Sequence, residues 1–120
     1  MSQQRILYVE DDALVAFPVE MMLAESGYEV VAVSTAAAAI TELQSGREWD
    51  LLLTDIRLPN EMDGWAIARR ARELFPDLPV IYVSGDSAED WNDNGVPESA
   101  MLAKPFSFAM ALTVVSRALS

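Results

Sequence analysis

The chain has no cysteine and no histidine, and it has a single lysine among 120 residues. Without cysteine there is no disulfide framework and no thiolate metal site. Without histidine the commonest general base and the commonest zinc ligand are missing. Basic residues are few, 8 against 19 acidic, for a formal charge of −11. A field of that sign repels nucleic acid and anionic lipid, so neither is an expected partner. No apolar run approaches the roughly 20 residues that span a bilayer. The start, "MSQQRILYVE", lacks the basic segment and apolar stretch of a signal peptide. A soluble, cytoplasmic protein is expected, with no linker, repeat or low-complexity tail.

Apolar residues make up 52% of the chain, enough at this length for one domain with a single core. They fall in short runs alternating with longer amphipathic ones. Strands are expected at "RILYVE" (5–10), "YEVVAVS" (28–34), "DLLLTD" (50–55), "PVIYVS" (79–84) and "AMLA" (100–103). Helical spacing predicts helices over 12–26, 35–45, 65–75 and 107–120, the second capped by Ser34. Pro18 inside the first helix removes a hydrogen bond and predicts a kink or a late start. The polar segment 85–99 is expected to hold at most a small or mobile fourth helix. Strands that are apolar without alternation mark a parallel sheet covered on both faces. Right-handed crossovers then give a doubly wound α/β sandwich, whose ligand sits outside the carboxyl ends of the strands.

Those ends carry the chemistry. The first strand ends in Glu10-Asp11-Asp12, the third in Asp55, the fourth in Ser84-Gly85 and the fifth in Lys104-Pro105. Three or four carboxylates, one hydroxyl and one ammonium would share one small site. Crowded carboxylates repel unless a cation neutralises them. Oxygen ligands without His or Cys suit a hard cation, Mg²⁺ or Mn²⁺. A carboxylate beside such an ion can attack a phosphoryl group, and Lys104 and Ser84 can meet the phosphoryl oxygens. The lone lysine is then the counter-charge of the site. Each residue also has a plain structural reading: helix N-terminal acids, a turn aspartate, a turn Ser-Gly, a snorkelling lysine. Coincidence at four strand ends favours the functional one.

The motifs "LYVEDD", "LLLTDIRLP", "MDG", "VSG" and "KPF", in that order, resemble the receiver domain of bacterial two-component response regulators over essentially the whole chain. The resemblance implies a flavodoxin-like (βα)5 fold with strand order 2-1-3-4-5, spanning 1–120 as a single domain without an output domain. It implies Asp55 as phosphoacceptor, Asp11 as direct Mg²⁺ ligand, Glu10 as a looser ligand acting through water, and the Arg57 carbonyl as a further ligand. Ser84 and Lys104 would contact the phosphoryl group, and the bond before Pro105 would be cis. The donor would be a phosphohistidine on a sensor histidine kinase or histidine phosphotransfer protein. Output would pass to an unknown downstream protein or make the chain a phosphoryl relay or sink. The chain would be no enzyme beyond its own phosphorylation and dephosphorylation. A homodimer face is implied on the fourth and fifth strands and helices, and a kinase-docking face on the first helix, although its methionines read mainly as core.

Met101 stands where the family usually has Tyr or Phe; a flexible methionine could repack in place of the aromatic switch, with signalling running through the loop after the fourth strand. By the same resemblance Arg57 and Asp86 occupy positions that flank the mouth of the family's site; they are expected to pair across it, which would hinder attacking water and lengthen the phosphoryl lifetime. Trp49 reads as packing, and Trp65 and Trp91 as partly exposed packing or partner contacts. Two other functions compete. An Mg²⁺-dependent phosphatase or nuclease of similar fold wants Asp-x-Asp at a strand end, where Asp55-Ile56-Arg57 has arginine. A degenerate receiver acting as a fixed interaction module would lack the acids, Ser84 and Lys104 that are present.

Overall fold

The computed structural model describes residues 3–60 and 62–120. Strands β1 (Arg5–Val9), β2 (Glu29–Val33), β3 (Leu51–Asp55), β4 (Val80–Ser84) and β5 (Ala100–Ala103) alternate with helices α1 (Ala13–Glu25), α2 (Ala36–Leu43), α3 (Gly64–Leu74), α4 (Trp91–Asn94) and α5 (Phe108–Ala118). The strands form one parallel sheet in the order β2-β1-β3-β4-β5. The order reverses between β1 and β3, which opens the crevice where a ligand can sit.

The sheet is apolar on both faces, as its unalternating strands require. Leu7, Val9, Leu52, Val80 and Tyr82 pack on one side with α2 and α3. Ile6, Tyr8, Leu51, Leu53, Ile81 and Val83 pack on the other with α1 and α5. Side chains alternate across each strand, so one strand feeds both cores. Trp65 is buried, not partly exposed as expected; its ring lies 4.6 Å from that of Tyr82 at a tilt of 56°. Trp49 is packing, as expected. Trp91 is half-buried and donates its indole N–H to Ser99 Oγ at 2.9 Å.

Four helices begin on a side-chain cap. Asp12, Thr35, Asp63 and Ser107 accept from the backbone N–H of Leu14, Ala38, Ala66 and Met110. Each satisfies a donor that the first helical turn leaves unpaired. The α2 cap is therefore Thr35, one residue after the expected Ser34. The disturbance expected at Pro18 is not a late start: α1 begins at Ala13 and runs through the proline. Pro18 and Leu14 both face solvent, so water can serve the Leu14 carbonyl that the missing N–H leaves free. Segment 85–99 holds a 3-10 turn at Ala88–Asp90 followed by the one-turn α4, matching the weak helix expected there. Among the described residues no helix is long and apolar enough to cross a membrane.

Candidate functional site

Parallel register brings the strand ends level. Val9 pairs with Thr54, Asp55 with Val83, and Ser84 with Ala103. The ladder continues one step beyond, through Ile56 N to Val83 O at 3.2 Å and Lys104 N to Ser84 O at 2.8 Å. Glu10, Asp55, Ser84 and Lys104 thus reach one edge although they are far apart in sequence.

Glu10, Asp11 and Asp55 each offer a carboxylate oxygen, and these oxygens lie within 4.8 Å of one another. Asp12 does not join them: its side chain is turned to the helix as the α1 cap, and its N–H donates to Glu10 Oε2 at 3.2 Å. The three-or-four count of carboxylates resolves to three. Lys104 Nζ donates to Glu10 Oε1 at 3.0 Å and to Asp55 Oδ2 at 3.3 Å. It is the cation of the cluster. Ile56 N donates to Asp55 Oδ1 at 3.0 Å. The Lys104–Pro105 peptide is cis, as expected.

Burial raises the Glu10 and Asp55 carboxyls above their ordinary values; Lys104 pulls against that rise in both. Glu10 is 3% and Asp55 7% exposed, so desolvation of the charged form is the larger effect. The Lys104 ammonium is shifted up: burial works against its charge, but the two carboxylates outweigh it. A site that already holds too much negative charge is suited to a further cation. Three hard oxygen donors without nitrogen or sulfur fit Mg²⁺ better than zinc.

A cavity of about 290 Å³ opens beside the acids, lined by Asp55, Arg57, Ser84, Gly85, Asp86 and Lys104. Ser84 is buried. Its Oγ accepts from the N–H groups of Asp86 (3.1 Å) and Ser87 (2.7 Å). Arg57 and Asp86 pair across the mouth as expected, Nε to Oδ2 at 2.8 Å. Arg57 holds the Asp86 carboxyl below its usual value. The arginine is committed to an acid from the next loop, so the position two residues after Asp55 supplies no second carboxylate. Ser87 was not foreseen. It is buried, and its Oγ donates to Asp86 Oδ1 at 3.0 Å; the Ser-x-x-Ser spacing of 84 and 87 was its only sequence signal.

On α1, Val19 and Leu23 are buried and Met22 is partly packed. Leu14, Phe17 and Met21 are exposed, joined by Phe108 and Met110 of α5. The methionine pair is therefore not simply core, since Met21 faces out.

A doubly wound sheet with an acid cluster, a lysine and a serine at its switch-point edge is the build of a phosphoryl-accepting signalling domain. The chain belongs to the response regulator receiver domain family, whose sequence model matches residues 6–115. It is 41% identical over 105 residues to the response regulator receiver protein CpdR of Brucella abortus, covering 86% of each chain. It is 43% identical to a response regulator receiver protein from Sinorhizobium medicae, whose crystal structure superposes with a TM-score of 0.94 over 98% of this chain and 95% of that one. It is also 32% identical over 122 residues to the Escherichia coli transcriptional regulator NtrC, covering all of this chain and 26% of that protein. The chain is thus a receiver domain, a signalling module of two-component systems.

Proposed function

We propose that Asp55 accepts a phosphoryl group from a phosphohistidine of a sensor kinase or histidine phosphotransfer protein, in the cytoplasm. Residues 1–120 act as a single receiver unit whose output passes through protein contacts or phosphoryl relay. The supporting observation is the convergence of Asp55, the Glu10–Asp11 acids, Ser84 and Lys104 at one sheet edge, three of them buried.

An Asp55 carboxylate oxygen attacks phosphorus as the P–N bond to the donor imidazole breaks. The bonding pair leaves with the nitrogen. Asp11 and Asp55, Glu10 through water, and the Arg57 carbonyl would hold Mg²⁺. That ion supplies charge neutralisation between the acids and the transferred group. Lys104, a compact ammonium with three donors, meets one phosphoryl oxygen. Ser84 turns its hydroxyl to another, exchanging its present loop contacts. Arg57, at the mouth of the cavity, restricts the line of approach for water and slows loss of the group. The exposed apolar side chains of Leu14 and Phe108 lie beside Lys104, since Leu14, Phe108, Pro105 and Lys104 line one groove. Its place supports donor docking there.

The test is intact mass after incubation with Mg²⁺ and acetyl phosphate. One phosphoryl group is expected on the native protein and none on Asp55→Asn. Equal modification of both would refute Asp55 as the acceptor. No modification by acetyl phosphate or by any histidine kinase would favour a fixed interaction module.

A further inference from the structure

The Arg57–Asp86 pair does more than cross a cavity. Asp86 Oδ1 gathers Arg57 Nε at 2.9 Å and Ser87 Oγ at 3.0 Å, with Ser84 Oγ at 3.5 Å. Ser84 Oγ in turn receives the N–H groups of Asp86 and Ser87. One carboxylate therefore ties the 84–87 loop together, and Arg57 is its counter-charge. The pair is exposed, 75% at Arg57 and 55% at Asp86. Exposed ion pairs contribute little and exchange readily. Both residues line the cavity that Asp55 and Lys104 share. A phosphoryl group there carries about −1.5 to −2 charge and offers several acceptor oxygens. A guanidinium fork fits such oxygens in pairs.

We infer that Arg57 is a partner-exchange latch. It is held by Asp86 in the unphosphorylated protein and crosses to the phosphoryl oxygens when Asp55 is modified. Asp86 then loses its cation, the 84–87 loop is released, and the Ser84 hydroxyl is free to turn to the phosphoryl group. Ser87 leads directly into the 3-10 turn at Ala88–Asp90 and so to Trp91. Trp91 and Met101 both pack on the α2–α3 side of the core. The latch thus carries the state of Asp55 to the β4–α4 segment without an aromatic residue at position 101. The inference rests on phosphorylation of Asp55.

The test couples intact mass to tryptophan emission during modification by acetyl phosphate with Mg²⁺. Trp49 and Trp65 are buried, and a Trp91→Phe protein isolates the contribution of Trp91. The native protein is expected to gain one phosphoryl group with a Trp91-dependent emission change. Arg57→Ala is expected to gain the group several-fold more slowly and without that change; Arg57→Lys recovers part of the rate. Asp86→Asn is expected to show part of the change before any phosphoryl donor is added. An Arg57→Ala protein whose emission change per phosphoryl group equals the native one would overturn the latch and leave the acceptor reading intact. So would a native protein that is modified with no Trp91-dependent change. A native protein that gains no group would remove the acceptor reading and the latch together.

Discussion

Replacement of Lys104 by alanine tests the counter-charge directly. Lys104 Nζ lies 3.0 Å from Glu10 and 3.3 Å from Asp55, whose side chains are 2% and 10% exposed. Its loss leaves two desolvated carboxylates facing each other with Asp11 nearby. Removing one partner of a fully buried pair costs about 3–5 kcal/mol. The lysine side chain is 29% exposed and the cavity is open to water, which screens the interaction and brings the expected loss down to about 2 kcal/mol. In a domain of this size each kcal/mol moves the melting temperature by about 4 °C, so a drop of roughly 8 °C is expected with a chelator present. Millimolar Mg²⁺ should return most of it, because a cation held by the same acids replaces the missing charge. Phosphorylation should not return, because the ammonium donor to the phosphoryl oxygen is still absent. Thermal melts with EDTA and with Mg²⁺, beside intact-mass phosphorylation, separate the two roles. A variant that melts at the native temperature in EDTA would refute the reasoning, as would Mg²⁺ that stabilises it no more than it does the native protein.

Three other perturbations follow from the same geometry. Gly64 opens α3 against the end of β3; a Cβ there would run into the Asp55 carbonyl and stand 2.8 Å from Ile56 Cα. Backbone cannot swing aside as a side chain can, so Gly64→Ala should cost about 3 kcal/mol in a denaturant melt and slow phosphorylation of the displaced Asp55; native stability would disprove the clash. Arg57→Ala should speed loss of the phosphoryl group several-fold by opening the mouth to water, and an unchanged decay rate would dismiss shielding by Arg57. The Glu10 and Asp55 carboxyls are raised by burial in the metal-free protein, so the folded state binds more protons than the unfolded one. Their contribution is present below the unfolded carboxylate range near about pH 4 and is lost as pH rises through the raised folded values. Mg²⁺ favours the ionised acids, so the melting-temperature gain from Mg²⁺ should grow with pH; a gain independent of pH would contradict the shifts.

Much of the fold was legible because its signals are local. Five short apolar runs without alternation read as strands of a sheet covered on both faces, and the Gly and Pro punctuation between them bounds the helices. Once the strands are parallel, their carboxyl ends must lie on one edge. Glu10, Asp11, Asp55, Ser84 and Lys104 could therefore be grouped before any coordinate was known. The Arg57–Asp86 pair is expected from the receiver-domain resemblance, which places both residues at the mouth of the site. The α1 helix was harder, because it is apolar at almost every position and no stripe marks its buried side.

What only the tertiary structure decided was the choice among partners that sequence leaves equivalent. Asp11 and Asp12 are neighbours of one type, yet Asp11 joins the carboxylate cluster while Asp12 caps α1. Ser34 and Thr35 can both cap a helix, and the turn into α2 selects Thr35. Trp65 reads as partly exposed packing at a helix start, and packing on Tyr82 buries it. Met21 and Met22 part ways, one outward and one inward. Sequence by itself determined which chemistry gathers at the sheet edge, because strand order and direction carry whole residues there. It did not determine where each side chain points. That depends on contacts such as Lys104 with Glu10, 94 residues apart, which exist only after the sheet has closed.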